Sequence, residues 1–108
     1  LSMEVFNNYL IVHLDGELDH HSSEEVRNKI DSKYYDENLL NLVLDLRKVN
    51  FMDSSGIGLV MGRYKNCKEQ GGNVSIVNTK NNIDKILEMS GLTKIIRIYP
   101  SIEEALEN

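Results

Sequence analysis

Asp53, Ser54, Ser55 and Gly56 lie within Asn50-Phe-Met-Asp-Ser-Ser-Gly-Ile-Gly58, a run joining an apolar, strand-like stretch to a helix-like one. A carboxylate, two hydroxyls and two glycines therefore fall at a helix N-terminus. Unpaired backbone N–H groups and the positive end of the macrodipole favour a phosphate there, whether carried by a ligand or attached to a serine. Capping alone accounts for part of the pattern, because Asp and Ser lead the N-cap preferences. One capping side chain suffices, however, and three polar residues are present, anchored by Phe51-Met52. Gly58 and Gly62 also weaken the following helix by about 1 kcal/mol each relative to Ala, which suggests close approach by the sheet or by a partner.

Other chemistry finds less support. A serine hydrolase needs a Gly-x-Ser-x-Gly elbow and a histidine held by a carboxylate, and no such elbow occurs. His20 and His21 are adjacent, so they point to different sides, and no third ligand at metal spacing accompanies them. No metal or cofactor is expected. His13, inside a strand, reads as a packed or edge side chain. A phosphoaspartate receiver would need Asp45 at a strand end, an acidic pair after the first long strand and a lysine after a later one. These are not found, and Asp45 reads as a structural partner of a neighbouring side chain or loop backbone.

The elements that must position these residues follow from periodicity. Glu4–Phe6 is a short edge strand, Asn7-Asn8 a turn and Tyr9–Leu14 a strand. Ser22-Ser-Glu-Glu25 predicts a capping box opening a helix over 22–35. Leu39–Leu46 is apolar enough for a central strand covered on both faces. The helix after the motif carries Ile57, Val60, Met61, Tyr64 and Cys67 on one stripe and stops at Gly71-Gly72. Val74–Val77 is a strand. A helix marked by Ile83, Ile86 and Leu87 closes at Gly91, Ile95–Tyr99 is the last strand, and Ser101 caps a final helix. The order β-β-α-β-α-β-α-β-α predicts an α/β fold with a mostly parallel sheet of four to five strands and helices packed on it. The loop after Leu14 and the loop after Leu46 should then leave the same edge of the sheet, where open α/β folds place their sites. That brings Asp15, Glu17, Asp19, His20 and His21 beside Asp53, Ser54 and Ser55. An acidic rim opposes a free nucleotide and suits a basic partner.

Size and charge narrow the classes further. The 108 residues, 41% hydrophobic and 27% charged, fit one globular domain. We expect it to span 3–108, with Leu1-Ser2 an addition ahead of a native Met3. A net charge of −5 argues against nucleic-acid binding. No apolar run is long enough to predict a membrane span. The single cysteine, Cys67, reads as a buried small hydrophobe and fits a reducing cytoplasm.

Gly16-Glu-Leu-Asp-His-His21, Phe51-Met-Asp-Ser-Ser-Gly-Ile-Gly58, Gly62-Arg-Tyr-Lys65, Met89-Ser-Gly-Leu92 and Lys94-Ile-Ile-Arg97 together resemble the STAS domains. Within that family they are similar to the anti-sigma factor antagonists of sporulation. The resemblance covers the whole chain, which departs from the pattern only in stopping soon after Leu106. It implies a STAS-like fold and a non-enzymatic, monomeric switch in the cytoplasm. The unphosphorylated antagonist binds an anti-sigma factor that is also a serine kinase, and so releases the sporulation sigma factor. The kinase phosphorylates the first serine of Asp-Ser-Ser-Gly, here Ser54, and a PPM-type serine phosphatase reverses the modification. The residues alone leave Ser54 and Ser55 equivalent; the resemblance selects Ser54. It also implies a partner-facing surface of Asp19, His20, His21, Asp53, Ser55, Gly56 and Ile57. The other class left open is a small-molecule or nucleotide-binding STAS module.

Overall fold

The computed structural model describes residues 1–107. Leucine-, isoleucine- and valine-rich runs at Leu10–Val12 and Leu42–Leu44 are buried on both faces of their strands, so both strands lie inside the sheet. In chain order the elements are β1 (Ser2–Phe6), β2 (Tyr9–Leu18), α1 (Ser23–Asp36), β3 (Asn41–Met52), α2 (Ser54–Glu69), β4 (Val74–Val77), α3 (Asn81–Met89), a single 3-10 turn (Leu92–Lys94), β5 (Arg97–Tyr99) and α4 (Ile102–Glu107). Spatial order equals sequence order, β1-β2-β3-β4-β5. β1 pairs antiparallel with β2 through a turn in which Asn7 takes φ 52°, a conformation that asparagine tolerates. The remaining pairs are parallel, as the alternation of strands and helices requires.

Two apolar layers result. Leu10, Val12, Leu42 and Leu44 face Ile30 of α1, Leu59 and Val60 of α2, and Ile83 and Leu87 of α3. On the opposite side Ile11, Val43 and Val77 pack against Ala105 of α4.

Several expected boundaries move. β2 runs to Leu18 rather than Leu14, and β3 occupies Asn41–Met52 rather than Leu39–Leu46. Their polar continuations pair with each other, Asp15 opposite Lys48, Gly16 opposite Val49, Glu17 opposite Phe51 and Leu18 opposite Met52. Two register shifts leave extra residues on β3 and hide the alternation from a sequence reading. β5 is shorter than expected because Leu92–Lys94 winds into the 3-10 turn and Ile95 is exposed. Ser2, expected to lie outside the domain, takes part in β1 opposite His13.

The capping box at α1 does not form. Ser22 is the N-cap, but its backbone is already helical (φ −94°, ψ −25°), and its hydroxyl makes no bond to the first turn. That hydroxyl instead donates to the Glu17 carbonyl at 2.7 Å and accepts from the Asp19 N–H at 3.1 Å. At α4 the expected serine cap is present, with the Glu104 N–H donating to Ser101 Oγ at 3.2 Å. Along α2 the buried stripe is Leu59, Val60, Arg63 and Cys67, while Met61 is exposed.

Candidate functional site

The carboxyl ends of β2 and β3 carry the site. The Asp53 N–H donates to the Leu18 carbonyl at 3.3 Å, fastening the start of α2 to the end of β2. Asp53 is the N-cap of α2 in extended backbone, and its Oδ1 accepts from the N–H groups of Ser55 at 2.8 Å and Gly56 at 3.3 Å. One side chain thus caps the helix. Ser54, the first helical residue, is exposed, and its hydroxyl bonds to no other described residue. Ser55 is half-buried and turned toward a cleft between α1 and α2. Gly56 is buried, and a Cβ built on it would stand 2.5 Å from the Leu18 carbonyl oxygen. Although expected on the partner-facing surface, Gly56 offers little surface of its own and sets how closely α2 approaches β2. Ile57 is half-buried and packs on the main core.

The two acidic segments do meet, as paired strand ends rather than as loops. Asp19 folds back on its own turn, where its Oδ1 accepts from the N–H groups of His21 at 3.0 Å and Ser22 at 3.1 Å. The Ser22 N–H and then that of His21, outweighing desolvation, hold the Asp19 carboxyl below its ordinary value. His20 and His21 are exposed, with ring centroids 5.9 Å apart in an edge contact. Among the described residues no cluster of three or more His, Cys, Asp or Glu could hold a metal, and no helix is long and apolar enough to cross a membrane.

Sequence reasoning missed two basic residues here. Arg63 is buried between α1 and α2, with Nε 2.8 Å from Asp31 Oδ1. The pair is close, but that N–H is not aligned on the oxygen, and Nη1 has no hydrogen-bond partner. Ser23 Oγ is likewise buried and unpartnered. A buried donor left in this way costs about 1–3 kcal/mol. Burial pulls the Arg63 guanidinium below its ordinary value and pushes the Asp31 carboxyl up, against the charges of Arg63 and Arg27. Arg63 lies four residues from both Leu59 and Cys67, and that spacing was the signal available for its burial. Lys80 supplies the lysine after a later strand that the sequence reading missed. Its Nζ donates to the Val49 carbonyl at 3.0 Å and to Asn50 Oδ1 at 3.3 Å, at the β3 bulge preceding the motif. It pins backbone and approaches no acceptor aspartate.

Asp45 has the structural role expected of it. Its carboxylate accepts from Arg47 Nε and Nη2, both at 2.9 Å, and lies 2.7 Å from His13 Nδ1. Burial alone would raise its pKa, but Arg47 and then His13 outweigh burial and hold it at about 2. His13 Nε2 lies 2.6 Å from Glu4 Oε2, so this ring joins β1, β2 and β3.

Residues 1–105 match the STAS domain family. The chain belongs to that family. The anti-sigma F factor antagonist of Paenibacillus polymyxa is 41% identical to it over 106 residues, covering 98% of this chain and 91% of that protein. Among solved structures, the anti-sigma factor antagonist SpoIIAA in its unphosphorylated form is 28% identical with a TM-score of 0.76, covering 98% of this chain and 94% of that one. The Bacillus cell fate determinant SpoIIAA in the phosphorylated form is 31% identical with a TM-score of 0.76, covering 98% and 96%. Among the described residues, the five-stranded, mostly parallel sheet with four helices is the STAS fold of these proteins. This STAS domain is a regulatory binding protein and not an enzyme.

Proposed function

We propose that this STAS domain is an anti-sigma factor antagonist of the sporulation type, switched off by phosphorylation of Ser54. Unphosphorylated, it binds an anti-sigma factor that is also a serine kinase, through a face built on Asp19, His20, His21, Asp53, Ser55 and Ile57. Binding frees the sigma factor; a PPM-type phosphatase restores the antagonist. The chain acts as a monomer in the cytoplasm.

The observation that carries this reading is the contrast between the two serines. Ser54 is exposed, with its hydroxyl free of other described residues, while Ser55 is half-buried with its N–H held by Asp53. A kinase can reach the first without unfolding the helix start. A phosphate there adds roughly −1.5 to −2 charges beside Asp53 and Asp19, and like charge with added bulk breaks a tight contact. The helix N-terminus tolerates that charge locally, so the fold need not change. The unphosphorylated and the phosphorylated SpoIIAA structures both match this fold, each with a TM-score of 0.76, so the same overall fold accommodates either state in those proteins.

The test is incubation with the cognate kinase and ATP, followed by mapping of the phosphate by mass spectrometry. A single phosphate on Ser54, absent from Ser54→Ala, is expected. Modification at Ser55, or none at all, would overturn the reading. Backbone chemical shifts of the two forms should differ mainly around residues 50–60.

A further inference from the structure

The cleft between α1 and α2 has a volume of about 490 Å³ and is lined by Ser23, Arg27, Ser55, Gly58 and Arg63 together with His20 and Glu24. Two helix N-termini converge on it, and α1 has no side-chain cap from Ser22. Helix ends alone would not make a site. The wall, however, holds Arg63, whose side chain is only 8% exposed and whose Nη1 has no hydrogen-bond partner. Ser23 Oγ, also in the wall, is buried without one. Arg63 pairs with Asp31, and Arg27 adds a second, exposed guanidinium to the lining in a chain of net charge −5. Glu24 is the carboxylate in the lining itself, and it is exposed. A Cβ on Gly58 or Gly62 would meet nothing within 4 Å, so the glycines keep the cleft wide without being needed by the packing.

We propose that this cleft is a binding site for a small phosphate-class oxyanion, either free phosphate or the phosphate of a small monoester. A tetrahedral oxyanion accepts several hydrogen bonds at once, matching two hydroxyls and two guanidinium forks on converging walls. Arg27 and Ser55 meet the ion first, and Arg63 and Ser23, just beneath the surface, turn onto it. The lining holds no Phe, Tyr or Trp, so His20 is its one ring against which a base could stack, and the guanidiniums and hydroxyls address the phosphate.

The experiment is an amide NMR titration of the intact chain with sodium phosphate, against sodium chloride at matched ionic strength. Saturable shifts confined to Ser23, Arg27, Ser55, Gly58 and Gly62 are expected, weakened about tenfold in Arg27→Gln, which alters an exposed side chain and should fold normally. O-phosphoserine is the second probe. Tighter binding than inorganic phosphate assigns the site to monoesters, and the reverse assigns it to the free ion. Non-saturating drift shared with chloride, saturation elsewhere on the surface, or an unchanged Arg27→Gln titration overturns the proposal. Ser54→Ala, which cannot take the regulatory phosphate, should titrate like the wild type, so this result stands or falls apart from the partner switch.

Discussion

Within four consecutive residues the structure separates jobs that the residue types alone leave merged. Asp53 caps, Ser54 is presented, Ser55 faces the α1–α2 cleft, and Gly56 admits the helix to the sheet. Asp53→Ala should cost about 1 kcal/mol in urea unfolding, with most of it recovered in Asp53→Ser, because a hydroxyl can also serve as N-cap. Equal losses in both variants would show that the carboxylate acts through something besides the cap. Gly56→Ala is expected to be worse. The added methyl would sit 2.5 Å from a backbone oxygen that has nowhere to go, and forced overpacking costs about 1–3 kcal/mol. A wild-type urea midpoint in that variant would mean that α2 can slide from β2 freely. These residues were legible as a helix start because Asp-Ser-Ser-Gly carries both cap and turn chemistry. Their division of labour was not, since it depends on Leu18, about 38 residues earlier in the chain.

α2 shows at the level of an element why local rules read some things and miss others. Its start, its end at Gly71-Gly72 and the burial of Val60 and Cys67 follow from periodicity and breakers. The same spacing places Arg63 on the buried stripe, but a guanidinium is ordinarily a surface group and its partner Asp31 comes from α1, so residue type hid what the period offered. The capping box at α1 failed for a similar reason: Ser22 found better partners in Glu17 and Asp19 than in its own helix. The polar ends of β2 and β3 escaped notice because their pairing is bulged, so period two breaks where the charges begin. Gly58 and Gly62 were expected to mark close approach by the sheet or a partner, and the sheet is now excluded, since open space surrounds both. Gly58→Ala and Gly62→Ala should therefore each stabilise the isolated chain, by about 0.5–1 kcal/mol, through helix propensity alone. Thermal unfolding checks this. A fall in melting temperature would reveal a packing demand on these positions. If the same variants bind an anti-sigma factor less well, the helix has kept two unfavourable residues for the sake of its surface.

Across the whole molecule, one polar cluster joins what the hydrophobic layers do not. α4 covers the β3–β5 side of the sheet's second face, packing on Val43 and Val77, while His13, Asp45, Arg47 and Glu4 form a polar patch that reaches the β1 edge. Imidazolium donates from both nitrogens, so the charged ring satisfies Glu4 and Asp45 together and the neutral ring can satisfy only one. Burial opposes the charged form, but Glu4 and then Asp45 outweigh it and raise the His13 pKa above 6.5. A raised histidine contributes stability that is fully present below 6.5 and lost as pH climbs through the folded-state value. Asp45, held at about 2 against an ordinary 3.8, contributes stability that is present above 3.8 and lost as pH falls toward 2, amounting to about 2 kcal/mol. Stability should thus fall away on both sides, with the alkaline limb belonging to His13. The difference in urea stability between the wild type and His13→Gln isolates that limb, because His20 and His21 are common to both chains and cancel. We expect the difference to be largest below pH 6.5 and to shrink as pH rises past it. A difference that stays constant through the neutral range would mean that His13 holds β1 by packing rather than by its proton.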